Sequence, residues 1–266
     1  MLTDTHCHLT YPELAPQIAD VLTRAHAAGV SRLITIATSP ADADRGMQMF
    51  AAEPRVFLAA GIHPHEAAKV GEPEFAALRT IHENPSPAWR GRVVGVGETG
   101  LDFHYDFATP EQQERVFRFQ LELALQVDRP VIIHARKAEE QVCDILADYP
   151  RLAPRTVFHC YSGPPATTRR ILDAGYWMSF TGVVTFKNGD DVRLAASLCP
   201  LDRIMVETDA PFLSPEPVRK IFPNEPAFVA HTAARIAALR GMSPADFART
   251  TTANAERFFG LPKESI

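Results

Sequence analysis

Eight short apolar runs rich in β-branched residues recur along the chain with helix-length stretches between them, and this alternation restricts the fold more than any other feature. The runs are Leu2 to His6, Ser31 to Ala37, Val56 to Gly61, Val93 to Glu98, Val131 to His134, Thr156 to His159, Trp177 to Thr181 and Ile204 to Glu207. Strands that alternate with helices build a parallel sheet covered by those helices. The stretches between predict helices at 12–28, 41–52, 72–83, 110–127, 137–148, 165–174 and 190–198, then a helical C-terminal stretch over 226–259. Thr109-Pro110 followed by Glu111 to Gln113 reads as an N-cap, a first-turn proline and a polar first turn, and Ser243, Pro244 and Asp246 repeat the pattern. Eight strands in 266 residues match an eightfold barrel, for which roughly 250 residues are typical. The expected fold is therefore α/β, a single (β/α)8 TIM barrel with extra C-terminal helices, in one domain over 1–266. A doubly wound open sheet is the alternative that periodicity leaves open.

Hydrophobic residues make up 46% and charged residues 22% of the chain, ordinary values for a chain that buries a core. No apolar run reaches the roughly 18 residues of a membrane span, and the N-terminus lacks a basic-then-apolar leader. A cytoplasmic protein with no membrane partner is expected. Cys7, Cys143, Cys160 and Cys199 lie far apart without a CxxC pair, so they read as reduced thiols. The net charge of −5 does not provide the broad basic surface that grips duplex DNA. Contact with nucleic acid would have to be local and partly metal-mediated.

Side chains able to bind metal fall at the strand ends. The first strand ends in His6 and His8, the third in His63 and His65, the fourth in Glu98, the fifth in His134, the sixth in His159, and Asp209 follows the eighth. In a parallel barrel these ends converge on the face where such folds build active sites. Imidazoles and carboxylates suit zinc, manganese and similar cations, and alternate residues of an extended segment point to one side, so His6 and His8 reach one ion together. Glu98 is the natural bridge, because a carboxylate has two oxygens; its alternative role is a buried ion-pair partner. Two bridged ions would suit phosphoryl displacement. Gly95, Gly97 and Gly100 spell GxGxxG after a strand, but that dinucleotide fingerprint should open a helix at once, whereas 101–109 is an aromatic, turn-like stretch here. A carboxylate at position 98 would also sit badly beside a pyrophosphate.

With these residues the sequence resembles the TatD family of metal-dependent deoxyribonucleases, within the wider amidohydrolase-like barrels. The matching segments are Asp4-Thr5-His6-Cys7-His8, Gly61-Ile62-His63-Pro64-His65, Gly97-Glu98-Thr99-Gly100-Leu101-Asp102 and Ile133-His134-Ala135-Arg136. Further on come His159-Cys160-Tyr161-Ser162-Gly163, Glu207-Thr208-Asp209-Ala210-Pro211-Phe212-Leu213 and Asn224-Glu225-Pro226. The resemblance implies one divalent ion (Mg2+, Mn2+ or Zn2+) held by His6, His8, Glu98 and Asp209, and a second held by Glu98, His134 and His159. It implies hydrolysis of DNA, as a 3′ to 5′ exonuclease on single strands, and places His63 against the scissile phosphate; whether RNA is also cut is left open by the sequence. DNA repair is one process such an activity would serve. The chain departs from the family at Val218 to Pro223, where a basic, glycine-containing stretch is usual, and at His104-Tyr105-Asp106, where many members carry a basic residue.

In the mechanism expected from this pattern, catalysis rests on Asp209, Glu98 and His63. Asp209 is both ligand and proton acceptor, while His63 and Arg136 hold the non-bridging oxygens. The plainer roles are a hydrogen bond to a ligand for His63 and a surface ion pair for Arg136. His65 joins the substrate-binding residues, and Phe103, Tyr105, Tyr161 and Phe212 are candidates to stack on unpaired bases, or else pack within loops. One rival is an amide or ester hydrolase of the same superfamily, such as a D-aminoacyl-tRNA deacylase; another is a non-catalytic metal-binding protein. The sequence leaves the oligomeric state open.

Overall fold

The computed structural model describes residues 1–263, so the last three residues of the expected 1–266 domain lie outside the described residues. Its strands are β1 (Leu2–Cys7), β2 (Val30–Ala37), β3 (Val56–Ala60), β4 (Val93–Asp102), β5 (Val131–Arg136), β6 (Thr156–Phe158), β7 (Trp177–Phe180) and β8 (Ile204–Val206). They form one eight-stranded sheet in sequence order, every neighbouring pair parallel. The sheet closes on itself just past β8, where Asp209 N donates to His6 O (2.9 Å) and His8 N donates to Ala210 O (2.7 Å). That closure makes a (β/α)8 barrel and removes the open-sheet alternative.

The helices are α1 (Ile18–Ala27), α2 (Pro40–Met49), α3 (Glu72–Glu83), α4 (Pro110–Val127), α5 (Glu139–Leu146), α6 (Pro165–Asp173), α7 (Asp190–Leu198), α8 (Val229–Leu239) and α9 (Pro244–Phe259). α4 begins where its cap predicts: Thr109 Oγ1 accepts from Gln112 N, and Gln112 Oε1 accepts from Thr109 N. Ser243 caps α9 through Asp246 N. The C-terminal helical stretch is broken into a 3-10 turn at 226–228, α8 and α9, because Gly241 turns the chain with a positive φ of 64°. None of the described helices is long and apolar enough to cross a membrane, and all four cysteines are free.

Residues of one alternation set, among them Leu33, Leu58, Val131, Ile133, Phe158 and Val206, pack outward against the helices. The other set, Ile34, Ile36, Phe57, Ala59, Val94, Ile132, Val157, Trp177 and Met205, fills the barrel with Ala255, Phe258, Phe259 and Leu261 from the end of α9 and beyond. α9 thus closes the N-terminal end of the barrel, which leaves the C-terminal end for the polar side chains.

The expected turn after Glu98 is corrected: β4 continues through Leu101 to Asp102, paired residue for residue with Ile133 to Arg136 of β5. The glycines that spell GxGxxG have a packing reason instead. Gly97 and Gly100 lie at φ of 137° and 140°, and a Cβ on them would sit 2.6 Å from Ile132 O and 2.0 Å from His134 O. Only glycine lets β4 come this close to β5.

Candidate metal centre

The inward alternation that fills the barrel with apolar residues continues, at the C-terminal strand ends, into Asp4, His6 and His8 on the first strand, His63 past β3, Glu98 on β4, His134 on β5, His159 past β6, and Glu207 and Asp209 past β8. His6, His8, Glu98 and Glu207 are buried. Around Glu98 Oε2, the structure places His6 Nε2 at 3.4 Å and His8 Nε2 at 4.0 Å. Asp209 Oδ1 lies 3.6 Å from His6 Nε2 and 3.4 Å from His8 Nε2, and the two imidazole nitrogens are 3.4 Å apart. Donors set tetrahedrally ~2.1 Å from one ion are spaced ~3.4 Å from each other. His8 Nδ1 donates to Ile36 O (3.2 Å), which leaves its Nε2 turned toward this group. Two imidazole nitrogens and two carboxylate oxygens converge on one point, and this donor set fits a divalent metal.

Glu98 Oε1 faces a second group: His134 Nδ1 at 2.7 Å, His159 Nε2 at 2.7 Å and His63 Nε2 at 3.5 Å. The two shorter contacts are of hydrogen-bond length, so this half is drawn together more tightly than the first. Glu98 therefore faces both halves: it belongs to the groupings His6–Glu98–His159 and His63–Glu98–His134, and the first of these shares His6 with the grouping His6–His8–Asp209. The Gly97–Glu98 peptide is cis.

Burial opposes ionisation of Glu98, yet His159, His63 and His134 together hold its carboxyl well below the usual carboxylate range. Burial likewise opposes charge on His159, but Glu98 and Glu207 raise its pKa well above normal. For Asp209, burial is outweighed by His8 and His6, which lower its pKa. His63 is different. Burial drives its pKa down to about 4, so the ring is neutral near pH 7, and its Nδ1 accepts from His65 N (3.1 Å). The proton is therefore on Nε2, the atom turned toward Glu98, and His63 enters the site as a hydrogen-bond donor.

Two carboxylates that sequence reasoning did not assign complete the geometry. Asp102 is fully buried and its Oδ2 accepts from His134 Nε2 (3.0 Å) and His65 Nε2 (2.9 Å), while Oδ1 accepts from His104 N (2.8 Å). Burial opposes its ionisation, but hydrogen bonds from His134 and His65 hold the pKa below the usual range. Glu207 Oε1 takes Cys160 N (2.6 Å) and lies 3.3 Å from His159 Nδ1, and Oε2 takes Ser179 Oγ (2.5 Å). His134 and His159 are each flanked by a carboxylate on both ring nitrogens, the arrangement that orients metal-binding histidines. Asp102 lies inside the Gly-Leu-Asp segment and Glu207 inside Glu-Thr-Asp, so inward parity counted from Glu98 and Asp209 was the signal that would have found them.

These groups open into a cavity of about 610 Å³ lined by His8, His63, His65, Glu98, His134 and Asp209, with Tyr105, Arg136 and Phe212 at its wall. Tyr105 and Phe212 are each about two-fifths exposed, at 41% and 43%, and the Arg136 guanidinium lies over the Tyr105 ring (5.0 Å). Phe107, which sequence reasoning passed over, is exposed beside them and packs against His65. Two candidates fall elsewhere. Tyr161 is buried with its hydroxyl on Thr168 Oγ1 (3.1 Å), and Phe103 packs against the hydrophobic core; neither ring lines the cavity.

A (β/α)8 barrel with a histidine–carboxylate cluster at its C-terminal mouth defines a metal-dependent hydrolase. The chain belongs to the family of TatD related DNases, whose model matches residues 3–260. It is 35% identical over 261 residues to an uncharacterized metal-dependent hydrolase of Bacillus subtilis (strain 168), YabD, covering 98% of this chain and 100% of that protein. It is 33% identical over 264 residues to the 3′-5′ ssDNA/RNA exonuclease TatD of Escherichia fergusonii, covering 97% of this chain and 98% of the relative. Among solved structures, the TatD homolog YJJV from Escherichia coli K12 superposes with a TM-score of 0.90 at 29% identity, over 98% of both chains.

Proposed function

We propose that this hydrolase removes nucleotides from the 3′ end of single-stranded DNA, with RNA as a second substrate, using two divalent cations. His6, His8, Glu98 and Asp209 would hold one, and Glu98, His134 and His159 the other. The observation that carries this reading is the position of Glu98, with one oxygen turned to each half of a continuous cluster of donors. Cations bound there supply Lewis-acid activation of water and offset charge on the leaving oxygen.

The chain's own groups do the rest. Asp209, ionised and open to the cavity, accepts the proton released as the nucleophile attacks. His63 offers its Nε2–H, and Arg136 its guanidinium, to the non-bridging oxygens of the phosphodiester as charge develops on them. Asp102 and Glu207 keep His134 and His159 aimed at Glu98. Tyr105, Phe107 and Phe212 offer exposed ring faces at the rim, where unpaired bases stack. A terminal nucleotide enters a recess of this size, whereas an internal segment of stacked duplex cannot lower its backbone to the strand ends.

The test compares a 5′-end-labelled linear single strand, a blunt duplex and a covalently closed single-stranded circle, with Mg2+, Mn2+ or Zn2+ added to chelator-treated protein. The expected result is progressive shortening of the linear strand from its 3′ end, dependent on added metal. Cutting of the closed circle at the same rate, or no cutting with any metal, would overturn the reading.

A further inference from the structure

The wall of the mouth cavity on the side of β7 and β8 is built from two loops. Val183, from the loop after β7, and Phe212 and Leu213, from the loop after β8, line the cavity. The two loops are packed together: a Cβ on Gly182 would sit 2.3 Å from Leu213 O, and Glu216 N donates to Thr185 Oγ1 (2.9 Å). The loop after β8 also folds back on itself. Ser214 Oγ donates to Ile221 O (2.6 Å), and Asn224 donates from its backbone N to Pro211 O (2.9 Å) and from its side chain to Phe212 O. Residues 221–224 therefore run beside 211–214 at the cavity rim.

The outer surface of this wall mixes cations with open apolar side chains. Phe222 and Ile221 are 66% and 50% exposed, and Phe212 is exposed beside them. The Arg219 guanidinium lies over the Phe186 ring (3.8 Å). Arg219 and Lys220 are exposed and make no ion pair among the described residues. Across 182–189 and 211–223 the one carboxylate is Glu216, against Lys187, Arg219 and Lys220. The wall is thus locally positive on a chain whose net charge is −5. On the facing wall the rings are partly taken, Tyr105 by the Arg136 guanidinium and Phe107 by His65, and the exposed Asp106 stands between them in the chain.

A cavity of about 610 Å³ lies in the ~300–1,000 Å³ range of small-molecule sites, so it takes the end of a strand while the rest leaves across the rim. Single strands are held where cations follow the backbone and open aromatic faces receive bases. We propose that the strand upstream of the cleaved nucleotide leaves over the wall formed by 182–187 and 211–223, with its phosphates on Arg219 and Lys220 and a base on Phe222. The proposal rests on the reading of the mouth as a site for a strand end. It gives this wall the grip on longer strands and no part in the chemistry.

Binding is read apart from cleavage, by the anisotropy of a 5′-fluorescent thymidine dodecamer in Mn2+, its 3′-terminal linkage a methylphosphonate to resist hydrolysis. Arg219→Gln combined with Lys220→Gln should weaken binding at least tenfold. It should also flatten the fall of log affinity with log salt by ~1.4, since each phosphate contact on a single strand contributes ~0.7. Phe222→Ala should weaken binding about fivefold or more. With a cleavable strand, the double variant should raise KM for the dodecamer at least tenfold at unchanged kcat, and leave KM for a thymidine dinucleotide unchanged. Equal dodecamer affinity in the native chain and the double variant, an unchanged salt slope, or equal losses on dinucleotide and dodecamer would each overturn the proposal. Binding that depends on the wall, with neither strand cut, would overturn the nuclease reading and leave the wall standing as a strand-binding surface.

Discussion

Asp102 holds two histidines from two strand ends in one orientation, His134 and His65, so its contribution is to aim a ligand without touching the substrate. Carboxylates of this kind are worth ~10–100-fold in metal affinity. Asp102→Asn keeps an oxygen for the His104 amide but cannot accept from both imidazoles. We expect metal affinity and activity at limiting metal to fall by about that factor, with excess metal restoring most of the rate. A calorimetric metal titration beside initial rates checks this; loss of rate that excess metal does not rescue would place Asp102 in the reaction itself. The clustered histidines, Glu98 and Asp209 could be picked out in the sequence because their types are distinctive and each closes or follows a run that reads as a strand. Asp102 and Glu207 were not singled out, because a carboxylate four residues from Glu98 or two from Asp209 reads as a surface charge until parity turns it inward. Tyr161 shows the reverse: an aromatic beside a ligand, but on the outward set, is core.

The elements that present these residues are joined by close backbone approaches and by buried polar side chains. At Gly100, a Cβ would lie 2.0 Å from His134 O at a φ of 140°. Gly100→Ala should destabilise the fold by ~3 kcal/mol and loosen β4 against β5; urea unfolding reads this, and an unchanged midpoint would contradict it. α3 is tied to β3 through His82, whose Nε2–H donates to Ala60 O at 3.0 Å while Nδ1 is buried without a partner. Burial depresses its pKa from 6.5 to about 4. The unfolded chain thus binds a proton that the folded chain refuses between those values. Stability from the neutral ring is complete above pH 6.5 and is lost progressively as pH falls toward 4. Between pH 7 and 5 the native chain should lose about 2 kcal/mol more than His82→Gln, both measured in chelator; equal losses would remove the assignment. Helix positions were legible because caps and periodicity agree at Thr109 and Ser243. The end of β4 was not, because glycines that permit strand contact look identical to glycines of a turn.

At the scale of the molecule, the barrel was legible by counting strands, since eight parallel strands in sequence order can close where β1 meets the segment after β8. The plug formed by Phe258, Phe259 and Leu261 was not, because an amphipathic pattern shows that a helix buries one face but not which end of a barrel it seals. That plug lies opposite the histidine–carboxylate cluster, in which a single carboxylate, Glu98, is proposed to serve both halves. Equilibrium dialysis against Mn2+, with the bound metal counted by elemental analysis, tests it most directly. The native chain should bind about two ions, and Glu98→Gln should weaken both sites together by at least ~100-fold, since each loses a charged ligand. Loss of one ion with the other held at native affinity would contradict a shared bridge.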